Sequence, residues 1–268
     1  MNYLEEKMSM LYKISLIAII FFGMNSWTQA TDISRERDYA TDLAATPTFG
    51  EILRLGESTA QFLAIYAKTE QVKNRGTVIL LHEIGSHPDK DPIIYHLRRQ
   101  LPEYNWATLA LQMPVREAGA ATADYYPLFK DAQVRVLEAV RYLALNGVGT
   151  IIILGHGFGG QMAVYTQASA PMHEIKALVT IGLNVPDTGM ANAQILKFIS
   201  QLTTPLFDIY STWDSSEVIS SARDKRIAAR NNRNYRQFKL EQHIPYASDP
   251  EPLVKRIDSW MTRVTRKR

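Results

Sequence analysis

Residues able to do chemistry gather at the ends of apolar runs in this chain. The most informative set is Gly155-His156-Gly157-Phe158-Gly159-Gly160. It follows the apolar run Thr150-Ile151-Ile152-Ile153-Leu154 and precedes the helical run Gln161 to Ala168. A β-branched run of this kind reads as a buried parallel strand. Strand, tight turn and helix form the frame of the G-x-S-x-G nucleophile elbow, which exposes a hydroxyl from a strained turn. The flanking glycines fit, but Gly157 stands where the hydroxyl belongs. Glycine enters strained φ/ψ regions at little steric cost, so the turn can form. It supplies no attacking atom, so acyl-enzyme chemistry cannot begin there. The chain has no cysteine, which also removes a thiolate nucleophile and any disulfide.

Other reactive groups sit at comparable places. His82-Glu83-Ile84-Gly85-Ser86 ends the apolar run Thr77 to Leu81, Asp214 follows the run Pro205 to Tyr210, and His243 follows Tyr235 to Leu240. Histidines and carboxylates brought together suit general acid–base work. Ser86 reads as a turn former. The spacing of the histidines and acids matches no metal-ligand pattern, so neither a metal nor a cofactor is expected.

These residues need a scaffold, and the hydrophobic pattern supplies one. Glu51 to Leu55 and Gln61 to Tyr66 read as two strands around a turn. Further strands are expected over Thr77–Leu81, Trp106–Leu111, Thr150–Leu154, Ala177–Ile181, Pro205–Tyr210 and Tyr235–Leu240. Between them lie helical patterns: Pro92 to Leu101, Tyr125 to Asn146 with Gly147 as cap, and Pro250 to Thr265. Two opening strands and then alternating strands and helices predict a mostly parallel, doubly wound sheet. Ligands of such sheets bind beyond the carboxyl ends of the strands, where His82, Glu83, Gly157 and Asp214 fall.

The 268 residues, 46% hydrophobic and 21% charged, suit one large α/β domain with a sizeable core. A net charge of +3 specifies no partner. Lys7 and Lys13, the apolar run Ile14 to Met24 and then Thr28-Gln29-Ala30 describe a secretory signal peptide over residues 1–30. An uncleaved membrane anchor is the competing reading. Export to the periplasm or the medium is therefore expected. The polar residues 31–49 read as a linker, and 50–268 as the folded domain.

Taken in order, these segments resemble the α/β-hydrolase superfamily over roughly residues 50 to 265. Four stretches carry the resemblance. Leu80-Leu81-His82-Glu83-Ile84-Gly85 is similar to the loop that donates one oxyanion-hole amide, and Gly155 to Gly160 is similar to the elbow. Pro205 to Tyr210 with Asp214 and Val218 looks like the strand and loop of the triad acid. His243 with Asp249-Pro250-Glu251, Ile257 and Trp260 looks like the triad histidine and closing helix. The wording Glu83-Ile84-Gly85 is also similar to the dienelactone-hydrolase branch, which uses a cysteine. The chain resembles, too, an uncharacterised bacterial family of secreted α/β-hydrolase-like proteins.

The resemblance implies an α/β-hydrolase fold: a mostly parallel central sheet flanked by helices, with a small cap or none. It implies His243 as general base and Asp214 as the acid that orients it, around the vacant position Gly157. It implies the Ile84 and Phe158 amides as oxyanion donors, with His82, Glu83 and His156 in the pocket. Glu83 stands where many relatives have glycine, and an ionised carboxylate there would oppose an oxyanion. The expected protein is catalytically silent and binds a ligand or partner in the cleft. The alternative is a hydrolase of esters or related acyl compounds that uses His243 and Asp214 with water or a displaced nucleophile. Gly157→Ser is expected to restore hydrolysis of an activated ester. A small-molecule or acyl ligand fits the cleft, and nucleic acid is not expected. Arg223, Arg226, Arg230 and Arg233 recur at helical spacing, a basic face suited to an anionic surface.

Overall fold

The apolar runs pair with one another because each is hydrophobic on both faces. Residues Gly76–Leu81 form strand β3 and Ile151–His156 form β5, and the two lie parallel with Thr77 opposite Ile151. Val78, Leu80, Ile152 and Leu154 point into one core layer, while Ile79, Leu81, Ile151 and Ile153 point into the other. A strand buried on both faces cannot alternate polar and apolar residues, which explains the continuous run in the sequence. The structure is a computed structural model that describes residues 31–46, 48–58, 60–69, 74–241 and 250–266.

The remaining strands are β1 (Glu51–Leu55), β2 (Phe62–Ala67), β4 (Trp106–Leu111), β6 (Ile175–Ile181), β7 (Leu206–Ser211) and β8 (Arg236–Leu240). Their order across the sheet is β1-β2-β4-β3-β5-β6-β7-β8. β1 and β2 run antiparallel to their neighbours, and every other pairing is parallel. The elbow strand β5 therefore lies well inside the sheet, with its carboxyl end beside those of β3 and β6.

Helices cover both faces. One layer holds α3 (Phe129–Leu145), α4 (Phe158–Ser169) and α5 (Ile195–Gln201). The other holds α2 (Pro92–Gln100) and the closing helix α8 (Glu251–Thr265). The stretch expected as one helix over Tyr125 to Asn146 starts instead as a 3-10 segment, Thr122–Leu128, with Pro127 inside it. Proline lacks an N–H and disfavours the α region at the residue before it, so the α-helix begins only at Phe129. Residues 186–204 hold one 3-10 turn and the short α5, so any cap there is small.

Where a linker over 31–49 was expected, Ile33–Ala45 forms helix α1. The Asp32 side chain caps it by accepting from the Arg35 amide. Ala40 and Leu43 bury against Leu63 and Ile65 of β2. The apolar stripe is narrow and flanked by Arg35, Glu36, Arg37 and Asp38, which hides its period in the sequence. Thr31–Arg268 forms one compact unit. The signal-peptide expectation over 1–30 lies outside the described residues.

Candidate active site

Close packing builds the elbow. A Cβ on Gly159 would lie 2.2 Å from the Leu81 carbonyl oxygen, so only glycine lets α4 start so near β3. Gly157 has φ 50° and ψ −115°, in the left-handed half of the map where side chains are rarely tolerated. Its amide donates to the Ile181 carbonyl of β6 at 2.9 Å, which pins the turn. Residue 157 therefore has the strained backbone of a nucleophile turn, and glycine supplies no attacking atom there.

The volume of that missing side chain is filled by Glu83. A Cβ on Gly157 would lie 1.5 Å from Glu83 Oε2. Glu83 Oε1 accepts from the Ile84 amide at 2.7 Å and from the Phe158 amide at 3.3 Å. Oε2 also receives Phe158 N–H, at 3.2 Å. Ile84 and Phe158 are the two amides expected to form an oxyanion hole, and the carboxylate of Glu83 occupies it. A carboxylate at the first turn of α4 is also favoured by the helix dipole. The expected opposition between Glu83 and an oxyanion thus takes a definite form: the Glu83 carboxyl group itself accepts from both amides.

Asp91 ties this loop to the elbow. It N-caps α2, with Oδ1 accepting from the Ile93 and Ile94 amides at 3.0 and 3.1 Å. Its Oδ2 accepts from the Glu83 amide at 2.8 Å and meets His156 Nδ1 at 2.8 Å. Burial disfavours the charge on Asp91, but the hydrogen bond and charge of His156 and the amides of Glu83 and Ile94 outweigh it and pull its pKa down to about 2. Burial likewise opposes charge on His156, but the Asp91 hydrogen bond and the charges of Asp91, Glu83 and Asp214 outweigh it and raise its pKa. Burial raises the Glu83 pKa, against the pull of His156 and of the Ile84 and Phe158 amides. The sequence reading missed Asp91. Its signal was Asp91-Pro92 ahead of an apolar helical run, a cap followed by proline at the first helical position.

His82 plays a different part from the one expected. It is buried, and its Nε2 accepts the Met113 amide at 2.9 Å. Nδ1 therefore carries the proton and donates to the Glu83 carbonyl at 2.7 Å. Burial lowers its pKa to about 4. The imidazole is neutral and fixes the Glu83 backbone; both ring nitrogens are engaged, so it offers no base to the cleft.

Asp214 stands at the carboxyl end of β7, where its Oδ2 accepts from the Ser211 amide at 2.8 Å. A Cβ on Gly182 would lie 3.9 Å from Asp214 Oδ2 and 4.0 Å from His156 Cδ2, so both groups flank the same point after β6. Burial raises the Asp214 pKa, partly offset by the Ser211 amide, His156 and Lys225. The structure thus brings Glu83, Asp91, His156, Gly157 and Asp214 to one end of the sheet. His243 lies outside the described residues. Among the described residues no group of three or more histidines and acids has metal-holding geometry.

Arg223, Arg226, Arg230 and Arg233 are all exposed. They do not share one helix: α7 (Ala222–Ala228), following the short α6 (Ser216–Ser220), gives way to a 3-10 turn over Ala229–Asn231. Lys225, beside them in sequence, is fully buried and pairs with Asp208 at 3.1 Å.

The sheet order, the crossing helices and the glycine turn after β5 define an α/β-hydrolase fold. Solved structures agree. A monoglyceride lipase from Saccharomyces cerevisiae matches with 14% identity and a TM-score of 0.62, covering 83% of this chain and 98% of its own. Est1E from Butyrivibrio proteoclasticus matches with 15% identity and a TM-score of 0.61, covering 81% and 99%. Dienelactone hydrolase from Anabaena variabilis matches with 15% identity and a TM-score of 0.62, covering 80% and 96%. At such identities the likeness is one of fold. The chain belongs to the family described as "Protein of unknown function (DUF3530)", which matches residues 28–132 and 128–263. No curated protein sequence matches it.

Proposed function

We propose that this chain is an exported α/β-hydrolase-fold protein whose elbow performs no acyl transfer and whose cleft serves to hold a ligand. One observation carries the reading: Glu83 fills both the place of the missing side chain and the hole that an acyl oxygen needs. Acyl-transfer catalysis depends on donors aimed at the developing oxyanion. Here those donors already hold a carboxylate. An ester could present its carbonyl only after expelling Glu83 from two amides, and would then meet no nucleophile at residue 157.

Export rests on the pattern of residues 1–30. The firm anchoring that follows supports a boundary there: Thr31 Oγ1 donates to Glu36 at 2.6 Å, and the Asp32 amide donates to the Val115 carbonyl at 2.7 Å. Amino-terminal sequencing of protein from cells should start at Thr31, and a mature chain that keeps Met1 defeats this part. We also propose contact with an anionic surface through Arg223, Arg226, Arg230 and Arg233, which are exposed though not on one helix. Charge reversal at Arg226 and Arg230 should weaken binding to anionic vesicles, most at low salt.

The catalytic part is tested with p-nitrophenyl esters and thioesters. Wild-type protein should show negligible turnover. The clash with Glu83 alters the earlier expectation for Gly157→Ser, which alone should stay silent. Glu83→Gly with Gly157→Ser should gain measurable hydrolysis, and His243→Ala in that background should remove it. Strong esterase activity in the wild-type protein would overturn the reading.

A further inference from the structure

The β8 edge of the sheet carries charges that the elbow does not use. β8 is the last strand in the sheet order, and among the described residues only β7 pairs with it. An edge strand turns backbone N–H and C=O groups outward, a template for a further strand. Between β8 and α8 lies a groove of about 550 Å³. Phe238 and Trp260 give it apolar walls. Around them stand Arg236 of β8 and Lys255, Arg256 and Arg263 of α8, and no carboxylate lines the groove among the described residues.

Lys255 is paired with Glu251 at 2.6 Å. The arginines keep their charge uncompensated. Arg256 lies over the Phe238 ring, 3.7 Å from its centroid. Arg236 donates to the Arg233 and Tyr235 carbonyls at 3.4 and 2.7 Å. A cation on an edge strand deters non-specific pairing, which accounts for Arg236. It does not account for further cations on the helix across the groove. Like charges held round one groove repel one another, and a bound anion relieves that repulsion.

We propose that this groove binds an acidic segment of a partner protein, held extended and added to β8 as a further strand. The arginines select an anion. The open edge selects a polypeptide among anions, because only a backbone can pair with it. Phe238 packs in the same core layer as α8, and strand alternation puts Arg236 on that face too. Every second side chain of an added strand would face the same way, about 7 Å from the next. Arg256 and Arg263 lie about two helical turns apart on α8, or about 10 Å. Carboxylates at alternate positions of the added strand therefore reach both.

The protein purified from cells is titrated with a rhodamine-labelled peptide of alternating threonine and glutamate, and binding is read by fluorescence anisotropy. Matched probes are the alternating threonine and lysine peptide, the glutamate peptide with N-methyl groups on alternate amides in either phase, and phosphatidylglycerol vesicles. The glutamate peptide should bind, less tightly as salt rises, and the lysine peptide should not. One of the two N-methyl peptides, equal in charge but unable to pair, should bind about tenfold more weakly. Arg256→Glu with Arg263→Glu should weaken binding about tenfold or more. Lys130→Glu with Arg141→Glu makes the same charge change on exposed residues of α3, and should change binding about threefold or less. The N-methyl comparison uses wild-type protein and decides even if a variant is misfolded. No binding of the glutamate peptide at low salt overturns the proposal, as does full affinity of both N-methyl peptides or equal loss in the two double variants. Vesicle binding lost with Arg256→Glu and Arg263→Glu, in protein that ignores the peptide, assigns the groove to a lipid surface instead. None of these outcomes bears on the acyl-silent reading, which concerns the end of β5, three strands away.

Discussion

Two carboxylates lie near the carboxyl half of this sheet, one fully buried and one partly exposed, and their surroundings differ. Asp208, in the middle of β7, is fully buried and saturated with donors. Thr180 Oγ1 reaches it at 3.1 Å, Tyr235 at 3.2 Å, Gln237 Nε2 at 2.9 Å and Lys225 Nζ at 3.1 Å. Lys225 also donates to the Leu183 carbonyl at 2.9 Å. Glu83 is partly exposed and receives two backbone amides and no side-chain donor among the described residues. A buried charge with every lone pair engaged is part of the scaffold. One with an oxygen directed at a vacant position has capacity left for a ligand.

The largest effect should come from the saturated cluster. Lys225→Met leaves Asp208 without its counter-charge and should cost about 3–5 kcal/mol in urea unfolding, since a lone buried charge is heavily penalised. Asp208→Asn should also be costly. By contrast, Glu83→Gln keeps an acceptor for both amides and should change stability by about 1 kcal/mol or less. Equal costs at residues 83 and 208 would erase the distinction between the two sites.

Acid should act through His82. Its pKa is about 4 in the fold, against an unfolded value of about 6.5. Between those values the unfolded chain binds a proton that the folded chain does not, so stability falls as pH drops through this window. The loss is on the order of 3 kcal/mol at completion. His156 has the opposite sign: its raised pKa contributes stability at low pH that is lost as pH rises through the folded value. The pH dependence of the urea midpoint should therefore flatten between 6.5 and 4 in His82→Asn. An unchanged slope would show that His82 is not held neutral.

Much of this was legible in the sequence, for reasons that can be named. Buried parallel strands announce themselves as continuous apolar runs, so β3, β5, β6 and β7 were readable to within about two residues. The elbow was readable because an apolar strand, a glycine-rich turn and a helical run follow one another in sequence, and the close approach at Gly159 admits only glycine. What escaped was side-chain direction. Glu83 stood in plain view as a residue that would oppose an oxyanion, but spacing along the chain does not say that its carboxylate folds back onto residue 157. Asp91 escaped because, beyond its local cap on Ile93 and Ile94, its role depends on Glu83 and on His156, which lies 65 positions away. Helix α1 escaped because only a narrow stripe of it is buried, and the burial of Lys225 escaped because its partner Asp208 lies 17 positions away.

One measurement tests most directly the central claim that Glu83 occupies the place of the absent side chain. It is the coupling energy between Gly157→Ala and Glu83→Ala, measured by denaturant unfolding of both single variants and the double. Gly157→Ala alone should cost about 2–3 kcal/mol, because the new Cβ drives the carboxylate off its amides and strains the turn. In the Glu83→Ala background only the strain remains, on the order of 1 kcal/mol, which leaves a coupling of about 1–2 kcal/mol. Equal costs for Gly157→Ala in the two backgrounds, within about 0.5 kcal/mol, would show that Glu83 does not fill this position and would contradict the account.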